Sequence, residues 1–67
     1  MIEVIVNGAP RRFEQPLDVA QLLDEMELRG KKIAVERNGE IVPRSRHDVE
    51  TVNDGDKLEI VVAVGGG

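Results

Sequence analysis

The stretch from Val19 to Met26 is the one part of the sequence with the period of an amphipathic helix. Its apolar residues recur at i, i+3, i+4 and i+7, which places them on one face: Val19, Leu22, Leu23 and Met26. Asp18 is a favourable N-cap, and Gln21 stands where the partner of a capping box belongs. Gly30 takes the left-handed conformation readily and predicts the end of the helix.

The segment before the helix predicts a β-hairpin. Ile2, Val4 and Val6 alternate with Glu3 and Ile5, which is the period of a half-buried strand. Asn7-Gly8 is a hairpin turn signal. A second strand is expected over residues 11–15, with Phe13 pointing inward and Pro16 ending it.

After the helix, residues 32–42 predict a strand, an Asn38-Gly39 turn and a short strand that Pro43 stops. Residues 43–56 have no clean period and indicate a loop that can include a turn of helix. A long apolar strand follows over residues 57–64, and its length favours a central position beside the first strand. Leu58, Ile60, Val62 and Val64 share one face of it, with Glu59, Val61 and Ala63 on the other.

This order of elements predicts an α+β fold. A single main helix must cover one face of a mixed sheet of four to five strands, because the chain offers nothing else to bury that face. The arrangement is that of a β-grasp, or ubiquitin-like, fold, and residues 1–67 are expected to form a single domain.

Composition excludes several classes of function. The formal net charge is −4 and Phe13 is the only aromatic residue, so neither phosphate attraction nor base stacking favours nucleic acid. There is no cysteine, which is consistent with a reducing compartment. We found no membrane-length apolar run and no signal-peptide pattern, and the chain is expected to be a cytoplasmic monomer.

The residues that carry enzyme chemistry do not form a recognisable constellation. His47 is the only histidine and lies in a polar stretch, which predicts a solvated loop residue. Ser45 has no base at a recognisable spacing, and Asp54 and Asp56 flank Gly55 in an expected turn. The sequence therefore predicts neither an enzyme nor a metal site, and no bound cofactor.

The sequence ends in VVAVGGG, so three glycines follow directly on the predicted central strand. Gly65 and Gly66 predict a flexible tail that fits a channel too narrow for other residues, with the carboxylate of Gly67 as the reactive group. Val64 to Gly67 could extend on the order of 14 Å beyond the sheet at ~3.5 Å per residue. An ordinary frayed terminus is the alternative.

The segments RNGEIVPRS and DGDKLEIVVAVGGG, together with the order of elements, resemble the ThiS family of bacterial sulfur carriers of thiamine biosynthesis. The resemblance covers essentially the whole chain. The family usually ends in two glycines after a bulkier residue, whereas this chain has three. If Gly67 were not native, the reactive carboxylate would belong to Gly66.

The resemblance implies a protein cosubstrate for partner enzymes. A ThiF-like adenylyltransferase would use ATP to adenylate the Gly67 carboxylate, and a persulfide supplied through a cysteine desulfurase would convert it to a thiocarboxylate. A ThiG-like thiazole synthase would receive the sulfur.

Two groups of residues are hypothetical docking sites for such partners. Ile5, Val61 and Ala63 would form an apolar surface on the face away from the helix, although β-propensity explains these residues equally well. Arg44 and Arg46 would pair with acidic groups of a partner, the alternative being a solvated basic loop.

Three other functions remain open from the sequence. One is a MoaD-like carrier for molybdopterin, and another is a ubiquitin-like modifier of proteins. The third is a binding module in which the glycines have no role.

Overall fold

The computed structural model describes residues 1–28 and 30–62 of the chain. Within them, seven strands, one α-helix and one 3₁₀ turn follow one another. The elements are β1 Ile2–Val6, β2 Ala9–Phe13, β3 Leu17–Asp18, α1 Val19–Glu25, β4 Ile33–Arg37, β5 Glu40–Val42, the 3₁₀ turn Arg44–Arg46, β6 Thr51–Val52 and β7 Lys57–Val62.

Five of the strands form one mixed sheet in the order β2-β1-β7-β4-β5. Strand β7 lies in the centre, parallel to β1 and antiparallel to β4. The predicted β-grasp fold is confirmed, and so is the central place of the last strand beside the first. Central placement follows from its composition, since a strand with partners on both sides can carry a long apolar run.

Helix α1 begins as the sequence predicts. The Gln21 N–H donates to the Asp18 carboxylate at 2.7 Å, and the Gln21 side-chain oxygen accepts from the Asp18 N–H at 2.9 Å. The two preceding helical N–H groups donate to loop carbonyls, Val19 to Glu50 at 3.1 Å and Ala20 to His47 at 2.8 Å. The start of the helix therefore has partners for its first N–H groups.

The helix ends earlier than Gly30, so the predicted end is wrong. Its last residue is Glu25, and Glu27 takes the left-handed conformation with φ of 58°. The Glu27 N–H donates to the Asp24 carbonyl at 3.0 Å and the Leu28 N–H to the Leu23 carbonyl at 2.8 Å, the pair of bonds that defines a Schellman motif. Leu28, the residue after the left-handed Glu27, packs against the core, which is the hydrophobic contact that often accompanies this motif.

The core lies between α1 and one face of the sheet. Its buried residues come from every layer of the fold: Ile2, Val4, Val6, Val19, Leu22, Leu23, Val35, Val42, Val52, Leu58 and Ile60. The short strands β3 and β6 pair through Leu17–Val52 and Asp18–Thr51. This pairing brings Val52, from a stretch predicted only as a loop, into the core beside the start of the helix.

Candidate functional site

The predicted reactive end of the chain lies outside the described residues. Gly65, Gly66, Gly67 and the predicted docking residue Ala63 all belong to that segment. What the structure describes is the strand that leads to it. Strand β7 pairs with β4 as far as the Ile33–Val62 pair, so the last described residue belongs to a central strand.

On its other side, β7 is held first by β1 and then by a single side chain. Parallel pairing with β1 includes Ile5–Lys57 and Val6–Leu58. Beyond it, the Asn7 side-chain amide donates to the Ile60 carbonyl at 3.0 Å and its oxygen accepts from the Ile60 N–H at 2.7 Å. Asn7 thereby continues the backbone ladder where β1 turns away.

The two predicted apolar docking residues of the described part lie on the face of the sheet away from the helix. Val61 is 62% exposed and pairs with Ala34, while Ile5 is half-buried and pairs with Lys57. The register places Val61 further along β7 than Lys57, beyond Glu59. Ile5 and Val61 therefore share a face without lying side by side.

Between these apolar residues, two carboxylates face each other across strands. Glu36 of β4 pairs directly with Glu59 of β7, and both residues are exposed. Like charges directly opposite on a sheet are destabilising. We call Ala34, Glu36, Glu59, Val61 and Ile41 the open-face patch, Ile41 being 63% exposed and paired with Glu36.

The two predicted docking arginines have different surroundings. The Arg46 Nε lies 2.8 Å from one Glu50 carboxylate oxygen, and the Arg37 Nη2 lies 3.0 Å from the other. Arg44 takes part in none of the ion pairs found among residues 1–28 and 30–62. Of the two, Arg44 is therefore the better placed to meet an acidic partner, and a docking role for either stays a prediction.

These contacts change the acidity of Glu50. The hydrogen bond from Arg46 lowers the pKa of the Glu50 carboxyl below its ordinary value of 4.5, and the charges of Arg46 and Arg37 act in the same direction against partial desolvation. Arg37 also donates to the Thr51 carbonyl at 2.6 Å. The network ties β4 to the segment that leads into β6.

His47 is not the solvated loop residue that its polar neighbours predict. It is only 9% exposed, and its Nε2 lies 3.1 Å from the Val42 carbonyl. A carbonyl can only accept, so Nε2 carries the hydrogen. The prediction is wrong because the 3₁₀ turn folds the imidazole inward, where His47 joins β5 to the start of the helix through its backbone bond to Ala20.

A cavity of about 500 Å³ opens beside this histidine, between the end of α1 and the 3₁₀ turn. Ser45, His47 and Asp48 all line it. In the part of the chain that the structure describes, no hydrogen bond joins the three side chains, since His47 bonds to Val42 instead. The triad logic of a nucleophile, a base and an orienting acid is therefore not met by these residues.

The described residues include no group of His, Cys, Asp or Glu side chains that could hold a metal ion. Among the same residues, no helix is long and apolar enough to cross a membrane.

A model of the ThiS family matches residues 4–67, a range that includes the three terminal glycines. The chain belongs to the ThiS family.

Two relatives of this ThiS family member differ greatly in length. A thiazole synthase from Paramagnetospirillum magneticum is 48% identical over 66 residues, which are 98% of this chain and 20% of that protein. An uncharacterized protein, ycf40, from Porphyra purpurea is 35% identical over 98% of this chain and 93% of its own length. The chain thus spans a small part of the thiazole synthase and nearly all of ycf40.

The fold of this ThiS family member also matches a solved structure. The crystal structure of the thiamine biosynthesis protein ThiS from Geobacter metallireducens is similar with a TM-score of 0.84 and 35% identity. The match covers 98% of this chain and 100% of that one. The β-grasp architecture is therefore that of a solved ThiS protein.

Sequence reasoning missed the residue that holds β7 near its end. The sequence predicts Asn7 only as part of a turn, although its side chain bonds to Ile60, 53 positions away. A turn signal already explains an asparagine before a glycine, so the sequence carries no further sign of a distant partner. The partner of Asn7 can be identified only when the parallel register of β1 and β7 is known.

Proposed function

We propose that this chain carries sulfur on its C-terminal carboxylate and delivers it for thiazole formation in thiamine biosynthesis. The observation that carries the proposal is the ThiS family match, which extends through residue 67 and so includes the glycines. The described fold supports it, because the segment that would be modified follows a central strand of a small, well-packed sheet.

The first chemical step activates the carboxylate of Gly67. An oxygen of that carboxylate attacks the α-phosphorus of ATP in a ThiF-like adenylyltransferase, and pyrophosphate leaves. The product is an acyl-adenylate, a mixed anhydride whose AMP group is a far better leaving group than the original carboxylate oxygen. ATP belongs to the partner enzyme, and the carrier contributes only its terminus.

The second step introduces sulfur. The terminal sulfur of a protein persulfide attacks the acyl carbon, AMP leaves, and an acyl disulfide joins the two proteins. A thiol then cleaves the S–S bond, forming a disulfide with the donor cysteine and releasing the thiocarboxylate. No acid, base or metal of the carrier takes part, which is in keeping with the role of a protein cosubstrate.

Recognition by the partner enzymes would fall to the body of the domain. We propose the open-face patch as the docking surface, with Val61 as its apolar residue next to the terminal segment and Ile5 contributing on the far side of Glu59. Arg44 would add a contact to an acidic group of the partner. Arg46 is already bonded to Glu50, so its contribution should be smaller.

A thiazole synthase is the proposed acceptor of the sulfur. The relative from Paramagnetospirillum magneticum bears that name and contains a segment 48% identical to nearly all of this chain within a much longer protein. A carrier segment joined to the enzyme that uses its sulfur would have a high effective concentration at the active site. This supports a ThiG-like partner and favours the thiamine pathway over the molybdopterin alternative.

The decisive experiment is an intact-mass measurement after incubation with ATP, a ThiF-like adenylyltransferase, a cysteine desulfurase and cysteine. We expect a mass change equal to the replacement of one oxygen by one sulfur. Fragmentation should place the sulfur on Gly67.

A chain that lacks Gly66 and Gly67 is the matched control, since it keeps every described residue. It should stay folded and gain no sulfur. Unchanged mass of the full chain beside an enzyme that loads another carrier would contradict the proposed function. A second test replaces Arg44 alone by glutamate, which should slow loading if Arg44 docks and leave the rate unchanged if it is only solvated. Arg46 is kept because it is bonded to Glu50.

A further inference from the structure

Asn7 makes contacts that its turn does not require. Asn7 and Gly8 have φ of 51° and 82°, values that fit the type I′ turn between β1 and β2. Glycine alone would satisfy that geometry. The two side-chain bonds from Asn7 to Ile60, at 3.0 and 2.7 Å, reach a strand that is not part of the hairpin.

The position of these bonds along β7 gives them their importance. Asn7 follows directly on β1, and its backbone N–H donates to the Leu58 carbonyl at 2.9 Å, the residue at which the pairing of β1 with β7 ends. Its side chain then engages both backbone groups of Ile60. From Ile60 to Val62 the strand is otherwise paired on the β4 side, through Val35–Ile60, Ala34–Val61 and Ile33–Val62.

The second Asn-Gly turn offers an internal comparison. Asn38 and Gly39 have φ of 52° and 86°, nearly the same as the first pair. The Asn38 oxygen accepts from the Lys57 N–H at 2.9 Å and its amide donates to Asp56 at 3.1 Å. Asn38 thus holds the beginning of β7, and Asn7 holds the part that leads to the terminus.

We propose that Asn7 is a positioning residue for sulfur loading, because it fixes Ile60 and so the point and direction from which the terminal carboxylate extends. The inference rests on the proposed function. It assigns to Asn7 an effect on the reaction that Asn38, with the same turn and a comparable pair of bonds, does not have.

The expected loss in sulfur loading depends on how many residues follow the last residue of β7 that is hydrogen-bonded on both edges of the strand. Without the Asn7 side chain, that residue moves back from Ile60 to Leu58. Seven residues, 61–67, follow Ile60, and nine, 59–67, follow Leu58. Effective concentration falls roughly as the −3/2 power of such a length, which corresponds to about a 1.5-fold loss. Lost alignment at the reacting carbon adds to this.

The test compares Asn7→Gly with Asn38→Gly in the full chain. Glycine keeps both turns and removes only the side-chain bonds. Amide hydrogen exchange should accelerate at Ile60 in Asn7→Gly and at Lys57 in Asn38→Gly. The kcat/KM for sulfur loading should fall at least about 1.5-fold in Asn7→Gly, mostly through kcat because the open-face patch is unchanged, and should stay near the wild-type value in Asn38→Gly.

Two results would overturn the inference. One is equal loading kinetics for the two variants while the wild-type chain is loaded normally. The other is unchanged exchange at Ile60 in Asn7→Gly. If the wild-type chain itself gains no sulfur, the proposed function fails instead, and the exchange measurement still decides whether Asn7 anchors Ile60.

Discussion

The two faces of the central sheet are built from the same strands and have opposite characters. Toward the helix, Val35 and Leu58 are fully buried. One residue away on the same strands, Glu36 and Glu59 are exposed and face each other. The covered face supplies the apolar burial that stabilises a small domain, whereas the open face tolerates a repulsive pair and exposed apolar side chains. The proposed docking surface therefore lies on the face that contributes less to the stability of the domain.

The largest predicted effect contrasts Leu58→Ala with Val61→Ala in strand β7. Leu58 is 0% exposed, and truncating such a leucine costs about 2–5 kcal/mol. Val61 is 62% exposed, and its truncation should change the free energy of unfolding by no more than about 0.5 kcal/mol. Urea denaturation measures both values.

For sulfur loading by the folded protein, we expect the opposite order, with the larger effect from Val61→Ala. Val61→Ala should raise KM for the adenylyltransferase, whereas Leu58→Ala should be loaded in proportion to its folded fraction. Similar losses of stability in the two variants would remove the distinction between the faces. A wild-type KM for Val61→Ala would exclude Val61 from the docking surface.

Much of the covered face could be predicted because its signals are local. The capping box of Asp18 and Gln21 is formed as the spacing indicates, and the apolar run of β7 correctly predicted a central strand. The helix end was missed because Glu27, rather than a glycine, takes the left-handed position. Val52 and His47 were missed because their burial depends on pairing between β3 and β6 and on the 3₁₀ turn, for which residues 43–56 have no period.

The candidate site was predictable to a smaller extent. The outward direction of Ile5 and Val61 could be inferred from the sequence, since it follows from alternation along each strand, whereas the role of the terminal glycines stays a prediction. The register between β1 and β7 could not be inferred from the sequence. It pairs Ile5 with Lys57, so that Glu59 lies between Ile5 and Val61 on the open face. Because that register was unknown, the contact between Asn7 and Ile60 could not be predicted either.

A smaller effect is expected from Glu36→Lys on the open face. A lysine opposite Glu59 replaces cross-strand repulsion by attraction, which should raise the free energy of unfolding by about 0.2–1 kcal/mol. Glu36→Gln, which only removes the repulsion, should give an intermediate value. Denaturation at low and high salt checks the cause, because screening should reduce the differences among the three proteins.

No gain in either variant would mean that the two carboxylates do not interact. If Glu36→Lys is more stable yet is loaded with sulfur more slowly than Glu36→Gln, the repulsive pair is retained for recognition at the expense of stability.

The smallest effect concerns Glu50, a carboxylate with two arginine partners. Its pKa is lowered in the folded state, first by the hydrogen bond from Arg46, so the folded protein binds this proton less readily than the unfolded chain does. The stability that Glu50 contributes is therefore complete above its ordinary pKa of 4.5 and is lost as the pH falls through the lowered folded value. Glu50→Gln should flatten the acid side of the stability curve in this window. Arg46→Gln should do the same, because it removes the main cause of the shift, and acid curves parallel to wild type in both variants would show that the Arg46–Glu50 contact does not persist in solution.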